Sequence, residues 1–299
     1  MISGSLSGVM SSSLPQILAR SRNGKIHSLF SQSFNIGFEQ GLVHIRRAGG
    51  QLSSFGMRIS DSQMDDILPS LETGDLVKTN GVTLTIYPTY GPIVQIETAR
   101  LQSIDLSLHP VETAPRRLAI LRQALEAVNA AASLGLALTE QDWVHLNTLI
   151  QEDVHSEAFQ AAARYLVGRG KGLTPSGDDI LLGFFLALKL FGQASGLTQP
   201  LLDFIERSTT SISAAYLRDL ANGYISEYFQ MFCQATALED PDRLRSAIEQ
   251  ITTIGSTSGY DSLMGMSLGV TKLEGRSKAS FVSKRLFFNP TFFKQCLEE

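Results

Sequence analysis

The sequence has little cysteine, little charge and no long apolar run, and each shortage removes a class of protein. Only Cys233 and Cys296 occur among 299 residues, with no Cys-x-x-Cys pair, so neither a disulfide framework nor a cysteine zinc site can be assembled within one chain. The histidines His27, His44, His109, His145 and His155 show no ligand spacing, and neither His-Glu-x-x-His nor Gly-x-Ser-x-Gly occurs. The most apolar run, Ile180 to Leu190, falls far short of the roughly 20 residues of a membrane span. The opening Met-Ile-Ser-Gly-Ser-Leu-Ser-Gly lacks the basic region and apolar core of a signal peptide. With 25 basic against 29 acidic residues and a net charge of −4, there is no basic excess to attract nucleic acid. A soluble, cytoplasmic chain with no nucleic-acid or membrane partner is expected.

Charged residues make up 18% of the chain, below the roughly 25% usual for soluble proteins. Either a large core or a surface covered by another chain lowers that fraction. The 43% of apolar residues can fill a sizeable core.

The pattern of the chain predicts an α+β protein in four parts. Residues 1–24 are serine-rich at the start and read as a flexible segment. Residues 25–110 read as a β-rich domain, a small barrel or sheet. Val82-Thr-Leu-Thr-Ile86 and Leu42-Val-His-Ile-Arg46 alternate strictly, and Asn80-Gly81 between two such runs is a strong hairpin signal. A short helix is expected around Asp61 to Leu71. His44 alternates with Val43 and Ile45 and is expected on the solvated face of its strand. Residues 111–275 read as an α-helical domain, with Thr139-x-x-Asp142 as a capping box. Residues 276–299 form a basic and aromatic tail, with Phe281, Phe287, Phe288, Phe292 and Phe293. Such rings are seldom left in water, so the tail is expected either to dock on its own domain or to join a homo-oligomer or partner.

The densest chemistry is Gly168-Arg-Gly-Lys-Gly-Leu-Thr-Pro-Ser-Gly-Asp-Asp179, running directly into an apolar helix. Alternate glycines let backbone amides approach a ligand, and Thr174-Pro-Ser176 starts the helix. A helix N-terminus with free N–H groups seats a phosphate or carboxylate, and Arg169 and Lys171 would add charge beside it. The loop is no Walker A, since Gly172 follows Lys171. It is no dinucleotide fingerprint either, since a helical stretch precedes it.

The same grammar returns in Ser258-Gly-Tyr-Asp-Ser-Leu-Met-Gly265, which matches Ser176-Gly-Asp-Asp-Ile-Leu-Leu-Gly183 at Ser, Gly, Asp, Leu and Gly. Gly183 and Gly265 are equivalent, and each costs its helix about 1 kcal/mol relative to alanine. Matched glycines predict close approach of two related helices, side by side near a pseudo-two-fold axis, with their N-termini lining one pocket. The plainer alternative is two capping boxes, Ser176-x-x-Asp179 and Ser258-x-x-Asp261. On the ligand reading, Gly170, Lys171, Gly172, Thr174, Ser176 and Gly177 hold an anion together with Ser256, Thr257, Ser258 and Gly259. Asp178, Asp179 and Asp261 are the candidate catalytic groups, and Asp178 with Asp179 the candidate ligands of Mg²⁺. No organic cofactor is expected. A third segment places Arg218 and Asn222 four apart on one helix face, able to address an anionic ligand. A surface ion pair of Arg218 is the alternative.

These segments resemble the AllH-like family, subunits of oxamate carbamoyltransferase. The resemblance rests on Gly170-Lys-Gly-Leu-Thr-Pro-Ser-Gly-Asp-Asp179, on Tyr216-Leu-Arg218 with Gly223-Tyr224, and on Ile254-Gly-Ser-Thr-Ser-Gly-Tyr-Asp261. Ser256 stands where the family often has His. The resemblance implies exchange between oxalurate plus phosphate and oxamate plus carbamoyl phosphate, with Mg²⁺ and two companion subunits. The rival expectations are a non-catalytic assembly subunit and a stand-alone Mg²⁺-dependent hydrolase of a phosphorylated or ureide substrate.

Overall fold

The computed structural model describes residues 8–277. The aromatic residues from Phe281 onward, and with them the oligomer or partner contact expected of the tail, lie outside the described residues.

The N-terminal part is one nine-stranded sheet. Its elements are β1 (Gly8–Ser11), α1 (Leu14–Arg20), β2 (Asn23–Leu29), β3 (Ser33–Phe38), β4 (Gly41–Arg47) and β5 (Gly56–Ile59). They are followed by α2 (Asp61–Ile67), β6 (Leu76–Thr79), β7 (Thr83–Tyr87), β8 (Val94–Glu97) and β9 (Gln102–Ile104). The strand order is β8-β7-β6-β2-β3-β4-β5-β1-β9, antiparallel except for the β4–β5 and β1–β9 pairs. The predicted hairpin forms: the Asn80 side-chain oxygen accepts from the N–H of Val82 and Thr83 at 3.1 and 2.8 Å, and Gly81 takes φ +98°. The helix expected after Asp61 also forms, closed by a Ser60/Gln63 capping box.

The first residues correct one expectation. From Gly8 the serine-rich start is ordered: β1 joins β5 to β9, and α1 buries Leu14 and Leu18 in the sheet's core. Those pairings reach far along the chain, so no local composition could signal them.

The helical part comprises α3 (Pro115–Glu126), α4 (Glu140–Gln151), α5 (Glu157–Leu166), α6 (Ser176–Leu190), α7 (Gln199–Ser208) and α8 (Ser211–Ala221). It ends with α9 (Glu227–Leu238), α10 (Pro241–Thr252) and α11 (Ser258–Ser277). The Thr139/Asp142 capping box is present at α4. Every residue of α6 except Lys189 is buried, as expected of a helix apolar on all sides. No helix among the described residues is long and apolar enough to cross a membrane.

The two parts meet along α8 and α9. Leu42 of β4 and Phe55, in the turn before β5, pack on Ala215, and the Phe55 and Tyr216 rings stand 4.8 Å apart. Arg58 grips Glu227 through two hydrogen bonds of 2.8 and 3.0 Å, and the Leu52 N–H donates to the same carboxylate. This docking corrects the reading of His44. The face of β4 opposite Val43 and Ile45 is not solvated but covered by the helical domain. His44 is half-buried, tilted against Phe55, with Nδ1 3.0 Å from the Ser53 hydroxyl.

Burial, with Arg46 nearby, lowers the His44 imidazole from 6.5 to about 4. Between those values the unfolded chain binds a proton there that the folded chain does not. Stability contributed by His44 is therefore complete above pH 6.5 and is lost as pH falls toward 4. Urea denaturation of His44→Gln at pH 7 and pH 5 should show a shallower loss toward acid than the natural chain.

Candidate functional site

The site begins with the packing of α6 against α11. A Cβ on Gly183 would lie 1.9 Å from the Ser262 carbonyl oxygen, and a Cβ on Gly265 would lie 2.0 Å from that of Ile180. The two contacts exchange under the sequence duplication, as a pseudo-two-fold axis requires. Further along, Gly269 meets Ala187 and Phe184, so the register advances in the same direction on both helices. They are parallel, and their N-termini lie at one end.

Each helix is entered through a loop folded back on it. Gly177 sits where a Cβ would strike the Leu166 carbonyl at 2.1 Å, and Gly259 matches it against Ile251 at 2.0 Å. Gly170, at φ +115°, brings the first loop against the Ser176 N–H, where a Cβ would be 2.7 Å away. Gly177 donates to the Arg169 carbonyl, and Asp178 and Asp179 donate to that of Pro175. The α6 N–H groups past Ser176 are thus largely spent within the chain. Donors remain in the loops instead: no backbone N–H of residues 170–174 or 255–258 has a hydrogen-bond partner among the described residues. Gly170, Lys171, Gly172, Gly255 and Ser256 form an exposed rim, with Thr174, Thr257 and Ser258 half-buried beneath it. Thr174 and Ser258 join the two loops by a 2.8 Å hydroxyl contact.

Asp179 and Asp261 lie under this rim, 6% and 1% exposed, and each has an Oδ2 with no hydrogen-bond partner. Burial raises the Asp179 carboxyl well above its usual range. The hydroxyls of Ser258 and Thr174 offset part of that, and the charges of Asp261 and Asp178 add to it. Burial likewise raises Asp261, offset by the Gly135 N–H at 3.1 Å and by the hydroxyls of Ser176 and Thr257. The hydroxyls cross over: Ser258 of one segment serves the carboxyl of the other, and Ser176 returns the arrangement. Neither predicted capping box forms, because Ser176 and Ser258 are the first residues of their helices and not the caps.

Two sequence-nominated groups are used elsewhere. Asp178 accepts from the Gly168 N–H at 2.8 Å on one oxygen and from the Thr209 hydroxyl on the other, so it anchors the loop to the start of α8. Arg169 is tied to Asp142 at 2.8 Å and lies over the Tyr165 ring at 4.5 Å, which leaves Lys171 as the cation of the rim. With both its oxygens held, Asp178 does not fit as a partner of Asp179 on Mg²⁺. No group of three or more His, Cys, Asp or Glu suited to a metal ion occurs among the described residues.

Arg218 and Asn222 do face one space, but it is a different one. They line a cleft between the domains that no residue of either loop lines. The partner of Arg218 is Glu206, with Nε to Oε1 at 2.6 Å. Gly135 is the residue that sequence reasoning missed. A Cβ there would lie 2.3 Å from the Thr257 hydroxyl and 2.6 Å from that of Ser176, so the segment before α4 closes over both helix N-termini. Its only sequence signal is a glycine between two helical runs.

Fold and site define an α+β protein, a nine-stranded N-terminal sheet followed by a helical part that carries a duplicated loop–helix site around two buried carboxyls. The chain belongs to the AllH family: residues 166–270 match the family model described as oxamate carbamoyltransferase subunit AllH, and residues 5–103 match the AllH family N-terminal domain. The first match spans both loop–helix segments. No solved structure matches the chain.

Proposed function

We propose that this chain is the anion-binding subunit of a carbamoyltransferase of the oxamate type, acting with two companion subunits. The reaction interconverts oxalurate plus phosphate and oxamate plus carbamoyl phosphate. One observation carries the reading: two loops with unpartnered backbone N–H groups converge over two buried carboxyls, each with one oxygen that has no hydrogen-bond partner. N–H groups of this kind, with Lys171 beside them, suit phosphate and the charge that develops on a transferring carbamoyl group. Phosphate oxygen attacks the carbamoyl carbon, the bond from that carbon to the oxamate nitrogen breaks, and the nitrogen takes a proton. Asp179 and Asp261, whose pKa values are raised by burial, are carboxyls able to hold that proton before transfer.

The test is phosphorolysis of oxalurate by the chain co-purified with its companions, beside phosphate binding to the chain alone. Lys171→Ala in the exposed rim should weaken phosphate binding by about tenfold. Binding that ignores Lys171, together with full activity of complexes carrying Asp261→Asn, would leave a packing module. That outcome has its own support, since Gly183 and Gly265 account for part of the duplication by helix contact alone. Turnover by the chain without companions would favour a hydrolase.

A further inference from the structure

We propose that Arg46, with the Tyr216 hydroxyl beside it, seats the carboxylate of the substrate from the sheet's side of the site. The assignment rests on the proposed function, and it names the group that holds the end of oxalurate or oxamate away from the transferred carbamoyl.

Arg46 shares with His44 the face of β4 that the helices cover, and Arg58 stands in register beside it on β5. Two cations side by side call for two anions, and only one is supplied. Both oxygens of Glu227 are bound to Arg58. Arg46 has no ion pair or hydrogen bond among the described residues, and its Nε is buried without a partner. A half-buried cation left without an anion is costly, and Arg46 makes no bond to the helices that would offset the cost. The guanidinium is nevertheless closely placed. A Cβ on Gly50 would lie 1.8 Å from its Cζ and from its Nη2, so it rests directly on the backbone of the β4–β5 connection. A planar fork with its donors unspent suits a carboxylate.

Tyr216 supplies a second donor and the connection to the loops. Its ring packs on Phe55 at 4.8 Å. Its hydroxyl has no hydrogen-bond partner among the described residues, which is unusual for a tyrosine covered by protein. The helix that carries it, α8, starts against the first loop: the Thr209 hydroxyl bonds Asp178, and the Thr210 hydroxyl donates to the Leu173 carbonyl at 2.5 Å. Burial raises the pKa of the Tyr216 hydroxyl, the charges of Asp179 and Asp219 add to this, and that of Arg46 opposes it. One hydroxyl is therefore within electrostatic reach of both Asp179 under the rim and Arg46 on the sheet. A carboxylate held by Arg46 and Tyr216 leaves the other end of the same small molecule toward Asp179 and the loops. Phosphate seated there can then take the carbamoyl group directly.

The probe is oxamate, titrated calorimetrically into the full chain alone and in saturating phosphate. Oxamate should bind one to one under both conditions. Arg46→Gln should weaken it about tenfold or more, and Tyr216→Phe by a smaller factor, while phosphate binding stays as in the natural chain. Gly50→Ala keeps the charge but pushes the guanidinium aside, and should weaken oxamate as well. A residue that only docked the sheet on the helices would behave otherwise: Arg46→Gln would lower the melting temperature and leave oxamate alone. Having no bond to lose and a like charge beside it, Arg46 should be replaceable with the melting temperature level or raised. Absence of oxamate binding, unchanged affinity in folded Arg46→Gln, or displacement of oxamate by phosphate overturns the proposal. The two readings fail separately. Oxamate bound through Arg46 by a complex that cannot phosphorolyse oxalurate would remove the reaction and keep the seat. Phosphorolysis with an unchanged KM for oxalurate in Arg46→Gln would remove the seat alone.

Discussion

Gly183→Ala is expected to destabilise the chain on the order of 3 kcal/mol, the upper end of what overpacking costs in a core. The intrinsic gain in helix propensity of about 1 kcal/mol runs the other way and is outweighed. The added methyl would meet the Ser262 carbonyl oxygen at 1.9 Å, and the obstacle is backbone, which cannot swing aside as a side-chain tip can. Relief requires α6 and α11 to separate, which loosens the most buried helix of the molecule. For a chain of this size the melting temperature should fall by about 6 °C or more. Gly265→Ala should behave alike, since it meets Ile180 at 2.0 Å. Combining the two should cost much less than their sum, because one separation accommodates both methyls. Additive losses, or a fully stable Gly183→Ala, would show that the helices are not held at backbone distance.

Asp179→Asn should lower oxalurate phosphorolysis by the complex at least about 100-fold, the scale of a lost proton-transfer group, while making the chain more stable at pH 8. Burial keeps the Asp179 carboxyl protonated to an unusually high pH. A raised carboxyl pKa means that the folded state binds protons the unfolded state has released. Stability contributed by this group is therefore present at low pH and is lost as pH rises through the folded value. Asparagine keeps the shape and removes the charge, so its advantage should grow with pH. An ordinary helix-capping aspartate would give the reverse: a stability loss on substitution and little change in activity. Melting curves at pH 5 and 8, beside turnover, separate the two. The cost of keeping two buried carboxyls, each with one oxygen unpartnered, under one rim is the pattern expected where function, not packing, selects the residues.

Features set by neighbouring residues were legible in the sequence. The β6–β7 hairpin follows from the left-handed conformation that Gly81 supplies and the hydrogen bonds of the Asn80 side chain. The α4 start follows from Thr139 and Asp142, which lie within reach of one another whatever the rest of the chain does. The parallel α6–α11 pair was legible for another reason: a glycine in mid-helix is unfavourable alone, and its repetition at Gly183 and Gly265 marks where backbones touch. The partners of charged groups were not legible. Nothing near Arg169 in sequence points to Asp142, nothing near Arg218 to Glu206, and Asp178 and Asp179 look alike until one is seen to anchor Gly168 and Thr209.

By itself, then, the sequence determined the α+β division, the duplication and the family, because each rests on local periodicity or on spacing between like motifs. The tertiary structure alone decided which groups remain available. Two buried carboxyls can each keep one oxygen without a partner only where helix N-termini, loops and Gly135 are brought together around them. Arg46 and Tyr216 come within reach of one another only because a β-sheet and a helical bundle dock through Arg58 and Glu227. Both are questions of which distant groups meet, and a charge or a donor is available only after the fold has settled what it is not already bonded to.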